Sequence, residues 1–445
     1  WHPAMPGHTA GNFRPGPPVS PDRLRTGCVG AGNISGVASA IAVGGPGAIF
    51  WLWIWAFFGM MVKLVETSLG CYYRSQDEKG EYYGGPMEYM EKGIGREMGI
   101  KAGYIIGGAF CVGFILQFIQ GSQAYTISEM LNNSFGIPMM ATTIIYTIII
   151  LYVVWKGTPR IAKFATTAVP IMCIAYLIGG IILVILNIQN VPAVIGMIFK
   201  DAFTGSAAAG GFVGATVTTA VRSGLNRSIN SNEAGQGSSP LIHSSANTVH
   251  PVRQGLWGAF EVFVDTLVVC SVTAIAVLCT GVWSNGTTGA TLTMAAFETS
   301  YGAVGRVFMG IMAILFGLTT TAGWYTYYVT VIRHLLRKRP SLRDKIIQIF
   351  KVLFPCMNII IVGYITMSGN DANLFWSLVS CVLAIPVFTN LVALVILRGK
   401  FWEIFKDYKA RYLGIGKVDP NFHVFYEDDK NIKAQEELIR KGVEH

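Results

Sequence analysis

The sequence has little charge and lacks the common catalytic motifs. Only 13% of its 445 residues are charged, 52% are hydrophobic and the mean hydropathy is +0.47. A soluble globule could not hide this much apolar surface, so a lipid bilayer is the expected solvent. HExxH, GxSxG and Walker sequences are absent, and the eight cysteines include no CxxC pair. We therefore expect free, buried thiols and no enzymatic activity.

Apolar runs long enough to cross about 30 Å of hydrocarbon recur along the chain, and without water to bond the backbone they should be helices. The predicted spans are 28–43, 47–73, 103–131, 139–155, 162–187, 207–225, 252–282, 303–334, 346–367 and 372–397. Connections near 132–138, 283–302 and 368–371 contain no Lys or Arg, whereas the opposite connections are rich in both. This asymmetry predicts a multi-pass protein of the plasma (inner) membrane with both termini cytoplasmic. It also explains the net charge of +9 without a nucleic-acid partner.

Residues 1–27 form an aberrant segment. They are rich in proline, show no helical period and begin at Trp1, so we expect disorder in a truncated or frame-shifted start, although a native flexible tail is the alternative. A helical segment should then belong upstream of Val29, because each half of an inverted repeat needs a complete broken helix.

Glycine interrupts the predicted spans at two places. Residues 28–36 read CVGAGNISG, and only about ten helix-forming residues follow before GGPG at 44–47, which covers about half a membrane. A second run, GGFVGAT at 210–216, opens the sixth span half a chain later. Two breaks at matching positions predict an inverted repeat with a substrate site between them. Close packing of small residues is the alternative.

Three long blocks resemble the alanine or glycine:cation symporter family. Residues 32–74 contain its GGPG-x-x-FW signature, residues 77–95 resemble its tyrosine- and glycine-rich loop, and residues 210–255 contain its SNEAG motif. The resemblance runs from about Val29 to Gly399. It implies an all-α membrane protein with a leucine-transporter-like five-plus-five inverted repeat and two broken helices. The implied regions are a first repeat at 28–188, a second at 189–398 and a cytoplasmic interfacial segment and tail at 399–445.

Candidate Na⁺ ligands are oxygen-bearing side chains, the kind that hard cations prefer. Asn33 closes the first interruption, where its amide could bind Na⁺, cap the half-helix, or do both. The family resemblance implies that Thr319 and Thr320 complete the Na⁺ shell, while Thr321 packs; threonines also bond their own helix.

Charged residues within the predicted spans are further candidates. Asp265 lies halfway along the seventh span, either on the ion pathway as a ligand of Na⁺ or in a structural pair with Arg222 or Lys63. Lys63 and Glu66 stand at i and i+3 near the cytoplasmic end of the second span. We expect them to pair with each other or to snorkel, and a gating role is the alternative.

Candidate substrate contacts combine backbone and side-chain groups. The interruptions offer N–H groups to a carboxylate, and the resemblance adds a polar side chain and two aromatic walls that exclude long substrates. These candidates are Gly30, Ala31, Gly32, Gln123, Gly211, Phe212, Gly214 and Trp376. Interhelical packing is the alternative for Gln123 and for its neighbours Gln117 and Gln120.

The combined prediction is a secondary transporter that imports alanine or glycine with Na⁺ as the co-transported ion by alternating access. Proton coupling is the alternative, and a channel or a transport-like sensor is the more distant one. A channel would need a continuous polar pore, and a sensor would need an output domain.

Overall fold

The computed structural model describes residues 30, 32–77, 80–207, 212–369 and 373–426, and these form an almost entirely helical protein. The predictions for residues 1–27, for Ala31 and for Gly211 lie outside the described residues. In the described part of the chain, the only sheet is a hairpin of β1 (Ser75–Gln76) and β2 (Tyr82–Tyr83).

The helices of the first half follow the predicted spans closely. Their bounds are α1 (Gly32–Gly44), α2 (Ala48–Tyr72), α3 (Pro86–Tyr89) with a π-helical continuation (Met90–Glu97), α4 (Ala102–Leu116), α5 (Ser122–Phe135), α6 (Met139–Trp155) and α7 (Thr158–Leu186).

The second half contains more helices than predicted spans. Their bounds are α8 (Val191–Thr204), α9 (Val217–Asn232), α10 (Ser238–His243), α11 (Pro251–Val262) continuing through a π-helical segment (Phe263–Cys270) into α12 (Ser271–Cys279), α13 (Gly289–Tyr301), α14 (Ala303–Leu335), α15 (Pro340–Met367), α16 (Asn373–Ile396) and α17 (Arg398–Leu413).

Six helices of the described residues are long and apolar enough to cross a membrane. They are Ala48–Tyr72, Arg160–Leu186, Pro251–Cys279, Ala303–Leu335, Pro340–Met367 and Ser377–Ile396. The half-helix α1 has 13 residues and is about 20 Å long, close to the half-membrane length expected from its flanking glycines. It packs against α9, α13 and α2.

The third predicted span is wrong in one respect, because it is not a continuous helix. It contains a 3₁₀ turn (Gln117–Gln120) and then Gly121 in the left-handed region at φ 47°. A glycine adopts this conformation without steric cost, which lets the chain change direction here. We call this interruption the α4–α5 break.

The sixth predicted span also differs from the structure. An additional helix, α8, precedes a bridge between Ser206 and Ala215, and α9 begins only at Val217. α9 then ends at Asn232, where Glu233 takes the left-handed conformation at φ 56°. Residues 233–237 separate α9 from α10 and are called the α9–α10 break.

Candidate functional site

A cavity of about 250 Å³ lies between the start of α1 and the α4–α5 break, with further walls from α9, α14, α15 and α16. Five of the predicted site residues line it, namely Gly30, Gly32, Asn33, Gln123 and Thr320. The start of α1, defined here as residues 30, 32 and 33, therefore faces the same space as the third and eighth predicted spans.

Asn33 lies in the first turn of α1, and the orientation of its amide is fixed by hydrogen bonds. Its Oδ1 accepts a hydrogen bond from the Gly30 N–H at 3.0 Å, and its Nδ2 donates to Asp265 Oδ1 at 2.5 Å. An N–H group can only donate and an ionised carboxylate can only accept, so the amide cannot be turned around. Because the Gly30 N–H is already bonded, the predicted carboxylate contact at this N–H is not available without displacing Asn33.

Asp265 is completely buried in the π-helical segment, and its carboxylate is surrounded by neutral donors. Besides Asn33, Ser231 donates to its Oδ2 at 2.8 Å and Thr266 donates to the same oxygen at 3.0 Å. Lys63 attracts this carboxylate only through its longer-range charge, so the direct structural pair with Lys63 or Arg222 is not formed among the described residues. Asn33, Asp265, Ser231 and Thr266 together form the cluster that we call the Asp265 cluster.

The three adjacent threonines of α14 point to different surroundings. Thr320 lines the cavity, and a Cβ added at Gly30 would lie 2.5 Å from its Oγ1. Thr321 also lines the cavity and shares a hydrogen bond of 2.7 Å with Tyr146. Thr319 does not line the cavity. The hydroxyls of Thr319 and Thr320 both donate to carbonyl groups of their own helix, so only the position at the cavity distinguishes the two. The predicted pair of Na⁺ ligands thus meets the cavity through Thr320 alone.

The aromatic and glycine residues predicted around the second interruption lie away from this cavity. Phe212 is buried against Trp283 with ring centroids 5.2 Å apart, and it reaches Gly45 at the far end of α1. Since α1 is about 20 Å long, Phe212 cannot also border the helix start. The predicted wall at Phe212 and the contact at Gly214 are therefore not part of this cavity. The side chain of Trp376, like Gly211, lies outside the described part of the structure.

The helix interruption that does reach the cavity in the second half is the α9–α10 break, which includes part of the SNEAG motif. Here Lys63 of α2 is completely buried, and its Nζ donates to the carbonyl of Asn232 at 2.7 Å. This carbonyl belongs to the last residue of α9, where the helix dipole is negative. The ammonium group therefore stabilises the end of the half-helix. Sequence reasoning paired Lys63 with Glu66 but did not connect it to a break.

Glu66 continues this network from α2 to α16. Its Oε1 lies 3.8 Å from Lys63 Nζ, and its Oε2 accepts a hydrogen bond from Asn390 Nδ2 at 2.9 Å. The same Asn390 amide donates to the carbonyl of Gly235 in the break, also at 2.9 Å, while its oxygen accepts from Tyr89 of α3. Lys63 and Glu66 are both buried, so the snorkelling interpretation of this pair is wrong.

Charged side chains of both signs line the cavity. Arg227 extends from α9 towards α1, with its Cδ 3.7 Å from the position of a Cβ at Gly36. Glu233 lines the opposite part at the α9–α10 break and accepts a hydrogen bond from Ser238. A cavity with both charges matches a zwitterion better than a simple anion or cation.

Several amide side chains line the cavity, and three of them, Gln117, Gln236 and Asn358, come from distant segments. Of these three, only Gln117 is a candidate from the sequence, as a packing residue. Gln236 Nε2 donates to Gln117 Oε1 at 2.8 Å, which joins the α9–α10 break to the α4–α5 break. Asn358 of α15 is the third. No sequence spacing relates these residues, because they come from three distant segments that only the tertiary fold brings together.

A charged cluster outside the cavity joins α3 to the end of α14. His334 contacts Glu88 at 2.8 Å through Nδ1 and Glu91 at 2.9 Å through Nε2. Burial alone would raise the pKa of Glu88, but the hydrogen bond from His334 and the charge of Lys92 outweigh it and lower this pKa to about 2. This cluster ties the connection after α2 to α14.

Most of the chain is similar to known transporter sequences. Residues 25–422 match the family model of the sodium:alanine symporter family. The uncharacterized transporter YflA of Bacillus subtilis is 35% identical over 85% of this chain and 78% of its own length. The sodium/alanine symporter AgcS of Methanococcus maripaludis is 32% identical over 83% of this chain and 79% of its own length.

Comparison with solved structures identifies the fold. A mutant form of the manganese transporter of Eremococcus coleocola superposes with a TM-score of 0.50 at 12% identity, covering 96% of this chain and 91% of that protein. An identity this low is informative about the fold alone. The predicted all-α, leucine-transporter-like fold class is confirmed. The repeat boundaries at residues 188 and 398 stay predictions.

Proposed function

Because this chain belongs to the sodium:alanine symporter family and is therefore a multi-pass secondary transporter, we propose that it carries alanine or glycine together with Na⁺. The observation that carries the proposal is the Asp265 cluster beside the start of α1. The size and charge of the adjacent cavity support the choice of substrate.

The ion is the first part of the proposal. Asp265 is a buried carboxylate whose hydrogen-bond donors are neutral, and an ionised group of this kind is costly inside a membrane unless a cation compensates it. Carboxylate, hydroxyl and amide oxygens are suitable ligands for a hard cation such as Na⁺. We infer that Asp265 and Ser231 contribute to one Na⁺ site, with Asn33 at its edge. Thr320 lines the cavity close to Gly30 and is the threonine that we assign to ion binding.

The substrate is the second part. The cavity of about 250 Å³ is slightly smaller than the roughly 300–1,000 Å³ of common small-molecule sites, which favours a small amino acid. Gly32 begins α1 at the cavity, and N–H groups at a helix start attract a carboxylate. Arg227 adds a positive charge nearby, while Glu233 is a candidate partner for the substrate's ammonium group.

Alternating access is the mechanism that fits these parts. Na⁺ and the amino acid bind together from outside, one group of helices rotates against the other, and low internal Na⁺ favours release inside. Each charge that crosses a potential of 100 mV contributes about 2.3 kcal/mol. The distribution of Lys and Arg supports a cytoplasmic position for both termini.

Uptake of labelled alanine and glycine into proteoliposomes tests the proposal. We expect accumulation with an inward Na⁺ gradient and only slow equilibration without one. A matched set of liposomes with a proton gradient and no Na⁺ tests the alternative coupling. Accumulation driven by protons alone would contradict Na⁺ coupling, and a current that does not saturate with substrate would favour a channel.

A further inference from the structure

The α4–α5 break brings three amide side chains to one part of the cavity. Gln117 belongs to the 3₁₀ turn, and the next left-handed residue, Gly121, approaches Asn358: a Cβ at Gly121 would lie 3.5 Å from Asn358 Oδ1. Gln236 reaches Gln117 from the α9–α10 break. We call Gln117, Gln236 and Asn358 the amide trio.

Two donors of the amide trio have no hydrogen-bond partner among the described residues. They are Gln117 Nε2 and Asn358 Nδ2, and both belong to side chains that are at least nine-tenths buried. Buried donors without acceptors are costly, so native proteins rarely keep them without a purpose. The oxygen and nitrogen of both glutamine amides could be exchanged together, which would reverse the bond between Gln117 and Gln236. One polar atom of the Gln117 amide would still have no hydrogen-bond partner among the described residues.

The surroundings of the amide trio favour neutral ligand groups. The cavity wall beside it is aromatic, formed by Phe118, Trp324, Tyr328 and Phe354. In such an apolar environment hydrogen bonds are strong but a charged side chain loses its hydration. Glu233 lines the same cavity and would repel a side-chain carboxylate.

We propose that the amide trio is a side-chain subsite for neutral amino acids whose side chain ends in a hydroxyl or a carboxamide. Such groups both donate and accept hydrogen bonds, so they complement the amides of Gln117, Gln236 and Asn358. This subsite rests on the proposed amino acid transport and extends its substrate range beyond alanine and glycine to serine and asparagine.

Competition with labelled alanine uptake in proteoliposomes measures this selectivity. The pairs are serine against 2-aminobutyrate and asparagine against leucine, because the members of each pair have similar size and differ in hydrogen bonding. We expect serine and asparagine to inhibit at concentrations at least about tenfold lower than their apolar partners. Equal inhibition within both pairs would overturn the subsite while leaving alanine transport intact.

Variants assign the selectivity to the amide trio. Gln117→Leu and Asn358→Leu should each reduce the preference within both pairs at least about threefold, with the inhibition of each variant measured against its own rate of alanine uptake. Asn133→Leu, which changes an exposed amide outside the cavity, is the matched control and should keep the wild-type preference. An unchanged preference in both cavity variants would contradict the assignment.

The wild-type competition series remains decisive if a variant does not fold. Uptake of serine with no uptake or binding of alanine would contradict the proposed substrate while supporting the subsite. Stronger inhibition by aspartate than by asparagine would contradict the neutral-ligand assignment.

Discussion

The start of α1 and the α9–α10 break are both polar interruptions at the cavity, but their charges are provided differently. At the α9–α10 break, the ammonium group of Lys63 is bonded to the last carbonyl of α9, and Glu66 lies beside it. At the start of α1, the corresponding charge is the carboxylate of Asp265, whose donors are neutral side chains. At the α9–α10 break the cation is thus a side chain of the protein itself, Lys63. At the start of α1, no cation is directly bonded to the Asp265 carboxylate among the described residues.

This difference teaches which interruption is suited to exchange ions. A lysine side chain cannot leave its site, so the α9–α10 break keeps its amine in place whether or not an external ion is bound. Asp265 can meet a cation that arrives and departs, which changes the electrostatic energy of the α1 start between loaded and empty states. We therefore expect damage to the first region to alter ion dependence, and damage to the second to alter stability.

The largest expected effect comes from removing the built-in cation. Lys63→Met should destabilise the protein by about 3–5 kcal/mol, because Glu66 and the end of α9 lose their compensating charge inside the membrane. Thermal unfolding of the detergent-solubilised protein measures this. The double variant Lys63→Met/Glu66→Gln should recover part of the loss. A double variant that is as unstable as the sum of both single variants would show that the two charges act independently.

A smaller effect, confined to ion dependence, is expected from Asp265→Asn. The amide keeps the size of the carboxylate but removes its negative charge, so the Na⁺ concentration for half-maximal uptake should rise at least about tenfold, or 1.4 kcal/mol. Ser231→Ala is the milder comparison, with a rise of about threefold. If the Na⁺ dependence of Asp265→Asn matches that of the wild type, the ion binds elsewhere.

The close approach at the α1 start can be tested by two matched glycines. Gly30→Ala would place a Cβ 2.5 Å from Thr320 Oγ1, whereas the nearest atom to a Cβ at Gly32 is 3.9 Å away. We expect uptake to fall about tenfold in Gly30→Ala, from an overpacking cost of about 1–3 kcal/mol, and to change less than about twofold in Gly32→Ala. Equal uptake by both variants would mean that Thr320 moves aside freely.

The smallest effect distinguishes the two threonines that the family resemblance treats alike. Thr320→Val should raise the Na⁺ requirement about threefold, because its hydroxyl lies at the cavity. Thr319→Val should have little effect on Na⁺ dependence, since Thr319 does not line the cavity. Uptake at graded Na⁺ concentrations compares the two. A larger shift in Thr319→Val would reverse their assignment.

The features that sequence predicted well are those with a local cause. Long apolar runs predict the main spans, and glycines around residues 30 and 45 predict the short helix α1. Asn33 is recognisable because an asparagine beside glycines is typical of a helix start, although here its oxygen bonds the Gly30 N–H ahead of the helix. The second interruption was placed at the glycine-rich residues 210–216, whereas the break at the cavity has Glu233 in the left-handed conformation. A non-glycine residue in this region carries little sequence signal.

The partners across the cavity were not predictable, because their spacing along the chain has no period. Ser231 reaches Asp265 from another helix, and Lys63 reaches Asn232 over 169 positions. In the sequence, Gln117 resembles an ordinary packing residue. In the structure, it lies at the α4–α5 break and bonds Gln236. Such pairs follow from how helices cross, which a pattern of apolar residues does not determine.

The π-helical segment that contains Asp265 also has a consequence for insertions and deletions. A π turn forms when a helix accommodates an extra residue without losing its overall course. Deleting one residue between Phe263 and Cys270 should restore an ordinary helix and keep both flanks in register, so the displacement falls on the residues of the π segment itself. Asp265 lies in this segment and would then be displaced from Asn33 and Ser231. In relatives of this chain, a gap within this membrane helix would therefore indicate an altered ion site more directly than a gap in any surface loop.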